Sequence, residues 1–111
     1  MIYAFDLTFT YQRKMSEVDE HLKRLASRKG VKGVVIVNKE GLSIRSTLDN
    51  TLTNQYSTLF TNLVNMAKST VQEIDPQNEV TFLRVRTKKH EIMIAPNPDY
   101  YFITIFNPQE Y

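Results

Sequence analysis

Apolar residues recur along this chain in two alternating periods, and the changes of period mark out its elements. Val18, Leu22, Leu25 and Ala26 fall at helical spacing behind Ser16, a good N-cap, and Asp19, a capping-box acid. Lys29 suits the negative end of such a helix and Gly30 its left-handed stop, which predicts helix one over about 16–29. Val31 to Asn38 is built around the apolar run Val34–Val37, short enough for a strand and apolar enough to want cover on both faces. Asn38-Lys39-Glu40-Gly41 is a tight turn, with Gly41 free to take positive φ. Leu42 to Leu48 alternates, with Leu42, Ile44, Ser46 and Leu48 on one face of a half-solvated edge strand. Tyr56, Leu59, Phe60, Leu63, Val64, Ala67, Val71 and Ile74 sustain a three-four pattern that predicts a long helix over 52–74, ended by Asp75-Pro76. Strands at Val80–Thr87, Glu91–Ala95 and Tyr101–Phe106 complete the order αββαβββ.

The two-sided runs, strands one and five, belong side by side in the middle of a sheet. Hairpins place strand two beside one and strand four beside five, which gives the order 2-1-5-4-3, mixed or antiparallel. The fold class is an α/β (α+β) sandwich, with the long helix crossing one face and helix one on the other. A five-stranded sheet is about 24 Å wide, and one helix is only about 10–12 Å across. The helix-one face should therefore be partly bare, and strand three is a β-rich open edge. Antiparallel pairing of strand three with a two-fold mate would make a ten-stranded sheet. The expected dimer interface is Val80, Thr81, Phe82, Leu83, Arg84, Val85 and Arg86 of that strand, with Leu63, Met66, Ala67 and Thr70 of the long helix. Of these helix residues, Ala67, with Phe60 and Leu63, also suits the core, while Met66 and Thr70 lie off the main stripe. Helices of another protein would cover the bare face, against Val18, Leu22, Leu25, Tyr101 and Phe102.

The first fifteen residues stand apart. Tyr3, Phe5, Leu7, Phe9 and Tyr11 alternate with Ala4, Asp6, Thr8 and Thr10, a period of two. The stretch 1–15 is expected to be an extension, mobile or docked as an added edge strand, ahead of a domain over 16–111. Asp6 and the lack of a basic start make it a poor signal peptide.

The 111-residue length fits one domain. Absence of cysteine excludes disulfides, thiolate metal sites and thiol nucleophiles. A formal net charge of +2 is too small to draw nucleic acid or a membrane by long-range field. No apolar run reaches the ~20 residues that span a bilayer. His21 and His90 are too few and too far apart for a metal site, so neither metal nor cofactor is expected. Asp19-Glu20 and Glu73 with Asp75 read as helix-end or solvated acids. With three glycines and no nucleophile elbow, the chain carries no phosphate loop, dinucleotide fingerprint or serine triad, and no catalytic residue is assigned. Arg84, Arg86, Lys88 and Lys89 cluster at one hairpin, where they blunt an edge or meet a partner's acidic segment.

From Ser16 to Tyr111 the chain resembles the roadblock light chains of dynein. The residues that carry the resemblance are Gly30-Val31 with Gly33-Val34-Val35-Ile36-Val37-Asn38, Glu40-Gly41, Ser46-Thr47 and Asp49-Asn50. They continue through Asp75-Pro76-Gln77-Asn78, Thr81-Phe82-Leu83-Arg84, Arg86, Lys89, Glu91-Ile92-Met93 and Ala95-Pro96. Relatives often show Asn-Pro where this chain has Asn50-Thr51, and they normally start near Met15. The resemblance implies a homodimeric, non-catalytic accessory subunit that binds the dynein intermediate chain in the cytoplasm, on the microtubule cytoskeleton. It also implies possible mixed dimers with a paralogous light chain. The same fold recurs in scaffolds and regulators of small Ras-like GTPases, which is the alternative reading. A small-molecule sensor would need an enclosed polar pocket, against which the apolar filling argues.

Overall fold

The computed structural model describes the backbone of residues 2–108 and the side chains of residues 12–108. Helix α1 (Ile2–Ala26) is followed by β1 (Val31–Asn38), β2 (Ser43–Ser46), helix α2 (Asn50–Ile74), β3 (Leu83–Arg86), β4 (Glu91–Pro96) and β5 (Tyr100–Phe106). The sheet runs β2-β1-β5-β4-β3, and every neighbouring pair is antiparallel. The expected order is thus the observed one, with the mixed option removed.

β1 and β5 form the centre because both are apolar on each face. Val35 and Val37 join Ile103, Ile105 and Tyr101 under α2, while Val34, Ile36 and Phe102 lie under α1 with Val18. Asn38 fixes the β1–β2 turn. Its side-chain oxygen accepts from the backbone N–H groups of Glu40 and Leu42, at 3.1 and 2.9 Å. Gly41 takes φ 93°, a left-handed value that side chains other than glycine resist. A Cβ there would also lie 3.6 Å from the Ser57 carbonyl and from Thr61 of α2.

Several boundaries differ from the sequence reading. α1 starts at Ile2, so Ser16 is inside the helix instead of capping it, and the alternating stretch is no added strand. A strand needs a neighbour's backbone to satisfy its own, whereas a helix closes its hydrogen bonds locally. Neither glycine nor proline interrupts Ile2–Ala26. The helix ends at Ala26, short of Lys29, with Lys23 and Arg24 in its last turn. Gly30, at φ 85°, belongs to the following turn.

β2 is shorter than expected: it spans Ser43–Ser46, its pairing with β1 shifts register between Ile36 and Val37, and Leu42 lies ahead of it, exposed. β3 begins at Leu83, so Val80, Thr81 and Phe82 of the expected strand lie outside it. α2 starts at Asn50 behind Asp49, whose carboxylate accepts from Leu52 N–H at 2.8 Å.

Candidate docking surfaces

Two surfaces stand out, one on each face of the sheet. The first is α2. Its buried positions are Thr53, Ser57, Thr61 and Val64, mostly small polar residues. Leu59 is 63% exposed, Leu63 38% and Met66 67%. The apolar stripe therefore faces partly outward: of the residues that also suit the core, Leu63 is exposed while Phe60 and Ala67 are half-buried. The reason is close approach. The β1–β2 turn lies against Ser57 and Thr61, and Ser46 Oγ lies 2.7 Å from Thr53 Oγ1, so bulky residues would not fit on that side.

Tyr101 pins the helix in this rotation. Its hydroxyl donates to Asn65 Oδ1 at 2.8 Å and accepts from Lys68 Nζ at 3.1 Å. The outward residues Leu52, Leu59, Leu63, Met66 and Thr70, with the half-buried Tyr56, are spaced like the a and d positions of a coiled-coil seam. Beside them an open hollow of about 400 Å³ is lined by Leu52, Tyr56, Leu59, Phe60, His90 and Ile92. β3, at the end of the sheet order, carries the open edge.

The second surface lies on the α1 face. Val18, Leu22 and Leu25 cover β1 and β5 and reach no further than Ala95 of β4. Beyond them is a groove of about 390 Å³ with a floor of Met93, Ala95, Phe102, Thr104 and Phe106. Its walls are His21, Leu25 and Arg28 of the α1 side and Phe82 and Arg84 of the sheet edge. His21 stacks on Phe102, ring centroids 4.4 Å apart, and the Arg28 guanidinium lies 5.6 Å from the Phe106 ring centroid. Phe82, half exposed, borders this groove. The face is thus incompletely covered, as the width of the sheet requires.

Glu91 is the buried charge at this edge, only 2% exposed. Arg84 Nε lies 3.0 Å from its Oε1, and Arg86 Nη1 lies 3.5 Å from Oε2. The Arg84 contact is an ion pair by distance. Its N–H is not aligned on Oε1, which is left without a hydrogen bond. Arg84 also lies across Met93, with Nη2 3.6 Å from the sulfur. The two guanidiniums therefore lie over Glu91 and Met93 of the neighbouring strand, while each arginine side chain as a whole stays more than half exposed.

An asymmetry follows. Arg84→Ala with Arg86→Ala strands a buried carboxylate and should cost about 2 kcal/mol, a figure held down because both guanidiniums are more than half exposed. Glu91→Gln releases two arginines into water and should cost about 1 kcal/mol or less. Urea unfolding of the three proteins measures the difference, and equal costs would refute the arrangement.

The sequence-assigned residues divide between these surfaces. Leu63, Met66 and Thr70 are exposed on α2, while Ala67 is half-buried. Leu83, Arg84, Val85 and Arg86 lie on the open edge strand. Val18 and Tyr101 are corrected: both are buried within the domain, and Tyr101 faces α2, opposite the other proposed partner contacts. Phe102 is nearly buried but floors the α1 groove, and Leu22 and Leu25 are half-buried beside it. Sequence reasoning missed His21, Arg28 and Met93 in the groove. The β4 alternation placing Met93 beside Glu91 and Ala95 could have found the last.

Among the described residues no cluster of three or more His, Asp or Glu side chains is placed to hold a metal ion. No helix among them is long and apolar enough to cross a membrane.

The Roadblock/LC7 domain model matches residues 17–107. The fold is similar to a Roadblock/LC7 domain from Streptomyces avermitilis, with TM-score 0.73 and 13% identity over 80% of this chain and 77% of that one. It is similar to an MglB in a tetrameric arrangement, with TM-score 0.72 and 7% identity over 86% and 74% of the two chains. It is also similar to Myxococcus xanthus MglB, with TM-score 0.64 and 20% identity over 82% and 73%. The order of the sheet, the two helices that flank it and the match over residues 17–107 agree: this chain belongs to the Roadblock/LC7 family.

Proposed function

We propose that the protein is a non-catalytic scaffold that works as a homodimer and seats other proteins. The observation that carries this is the exposed apolar seam of α2 in a molecule that also has an open β3 edge. Pairing β3 with its mate about a two-fold axis satisfies the edge, extends the sheet to ten strands and sets the two seams against each other. The α1 groove then remains for a different polypeptide, whose disordered segment orders on binding.

The MglB likenesses favour a scaffold or regulator of a small Ras-like GTPase as the role of this dimer. They come from bacterial proteins of the same fold. The second reading is an accessory light chain of dynein that binds the intermediate chain and supports the cargo-binding tail of a microtubule motor in the cytoplasm. It is favoured by the run of residues from Gly30 to Pro96 that resembles those light chains.

Affinity purification of the tagged full chain from its native cell, with mass spectrometry, separates the two. Recovery of a Ras-like GTPase, with retention that depends on its bound nucleotide, supports the first. Recovery of a dynein intermediate chain in stoichiometric amount supports the second. A protein that sediments as a concentration-independent monomer and recovers neither partner sinks both.

A further inference from the structure

We infer that Ser27 is a phosphorylation site for a protein kinase that reads arginine three residues ahead of its target, and that the phosphate draws Arg28 off the ring of Phe106. The inference goes beyond the scaffold role and does not depend on which partner the scaffold seats.

Charge along the chain is the first argument. Between Glu20 and Glu40 stand Lys23, Arg24, Arg28, Lys29, Lys32 and Lys39, and no carboxylate. Ser27 sits among the first four of these cations. Three serine or threonine residues of the chain have an arginine three positions before them: Ser16 after Arg13, Ser27 after Arg24 and Thr87 after Arg84. A kinase binds its target as an extended segment, so the backbone around the hydroxyl has to be free to open.

Structure separates the three. Ser16 is inside α1, two residues before the buried Val18, so opening it would break the helix on both sides. Thr87 closes the β3–β4 hairpin: its Oγ1 donates to the His90 carbonyl at 3.0 Å and accepts from the His90 N–H at 2.9 Å. The arginines ahead of it, Arg84 and Arg86, lie against Glu91. Ser27 is the exposed first residue after α1, in the turn 27–30 that leads into β1. Its Oγ donates to the Arg24 carbonyl at 2.9 Å, and its N–H to the Lys23 carbonyl at 3.1 Å. Those bonds belong to the last turn of the helix, the part that frays most readily. The turn stands at the start of β1, three places from β3 in the sheet, and α1 lies on the face opposite α2. Pairing of β3 and α2 with a mate therefore leaves it open.

In the reaction Ser27 Oγ bonds to the γ-phosphorus of ATP as the bond from that phosphorus to the β,γ-bridging oxygen breaks. ADP leaves with the electron pair, and the kinase's base takes the hydroxyl proton. The product carries about two negative charges and no longer donates to Arg24. It also stands at the negative end of α1, whose carbonyls repel it. The next residue answers that charge. Arg28 is exposed, with its guanidinium 5.6 Å from the Phe106 ring centroid. A two-pronged, charge-assisted bond to phosphate outweighs a solvent-exposed contact with a ring, so Arg28 turns from Phe106 to the phosphoserine.

The full-length protein and a free peptide of residues 20–31 test this. Each is treated with ATP and calcium/calmodulin-dependent protein kinase II, which reads arginine at that position. Mass spectrometry is expected to find Ser27 modified in both. Arg24→Gln should slow modification of Ser27 at least about tenfold, with circular dichroism unchanged. In NMR spectra, phosphorylation and Arg28→Gln should move the Phe106 ring signals in the same direction. Phosphorylation of the Arg28→Gln protein should move them little further.

Phosphate on the peptide but not on the protein means a turn that the kinase does not open, and it overturns the inference. So does phosphate on neither, modification of Ser16 or Thr87 with Ser27 untouched, or a rate indifferent to Arg24→Gln. A Phe106 signal that phosphorylation leaves in place overturns it as well.

Discussion

Leu63→Asp combined with Met66→Asp is expected to turn the proposed dimer into a monomer without unfolding it. Met66 is 67% exposed and Leu63 38%, so neither is central to the core of the isolated domain. Both lie on the outward seam, seven residues from Leu59 and from Tyr56 respectively, where a two-fold mate would place its own seam. A carboxylate buried there meets its own symmetry copy, so desolvation and like-charge repulsion both oppose association. The two substitutions recur in each protomer. The expected loss is at least about 100-fold in dimer affinity, which corresponds to roughly 2.7 kcal/mol.

Sedimentation equilibrium across a concentration series reads this directly. Circular dichroism should show the sheet and helices retained, because the sheet-facing side of α2 is Thr53, Ser57, Thr61 and Val64. A variant that dimerises as tightly as the parent would remove α2 from the interface. Thermal unfolding adds a check: the parent's midpoint should rise with protein concentration, and the variant's should not.

The middle of the fold was legible in the residues because its signals are local and mutually consistent. Val31–Asn38 was bounded by glycine and by an Asn-led turn, and the strand occupies those residues. Two doubly apolar strands had only one place to go, and hairpin connections fixed the rest of the order. The face of α2 is legible only in part: Met66 and Thr70 are exposed, off the core stripe as the pattern expects, but Leu63, which also suits the core, is exposed with them. Apolar periodicity gives a stripe but not its destination, and a seam for a second copy looks like a stripe for a core. The competing signal was the small polar series Thr53, Ser57 and Thr61 at four-residue spacing, which marks a close approach to the β1–β2 turn.

The start of α1 was lost to a similar ambiguity. Alternation in Tyr3–Tyr11 suggested a strand, but pattern alone supplies no partner for its backbone. β3 was overextended because apolar content in Val80–Phe82 was read as pairing, while the structure uses Phe82 to wall the α1 groove. The buried Glu91 was not foreseen. Its burial depends on two arginines from the neighbouring strand, which a one-dimensional reading cannot set over it.

Tyr101→Ala should be the most damaging of the single truncations considered, and Tyr101→Phe should separate its two roles. The side chain is 1% exposed and sits in the cluster beneath α2 with Val35, Val37, Val64 and Ile103. Removing the ring leaves a cavity that rigid strands on either side cannot close, at a cost of about 3–5 kcal/mol. In a domain of this size that lowers the unfolding midpoint by roughly 12–20 °C, a large share of a typical total stability. Tyr101→Phe keeps the packing and removes only the hydroxyl that links Asn65 to Lys68. Asn65 is exposed and Lys68 half-buried, so both regain water, and the expected cost is about 1 kcal/mol.

The hydroxyl nonetheless sets the rotation of α2 about its axis, because it is a side-chain hydrogen bond between β5 and that helix. Loosening it should weaken dimerisation by more than the small loss of monomer stability accounts for. Calorimetry in the Leu63→Asp, Met66→Asp background gives the folding cost alone, and sedimentation of the protein without those two changes gives the association cost of the proposed dimer. If Tyr101→Phe changes the first but leaves the second untouched, the seam is presented by packing, and the tyrosine is only a core residue with a satisfied hydroxyl.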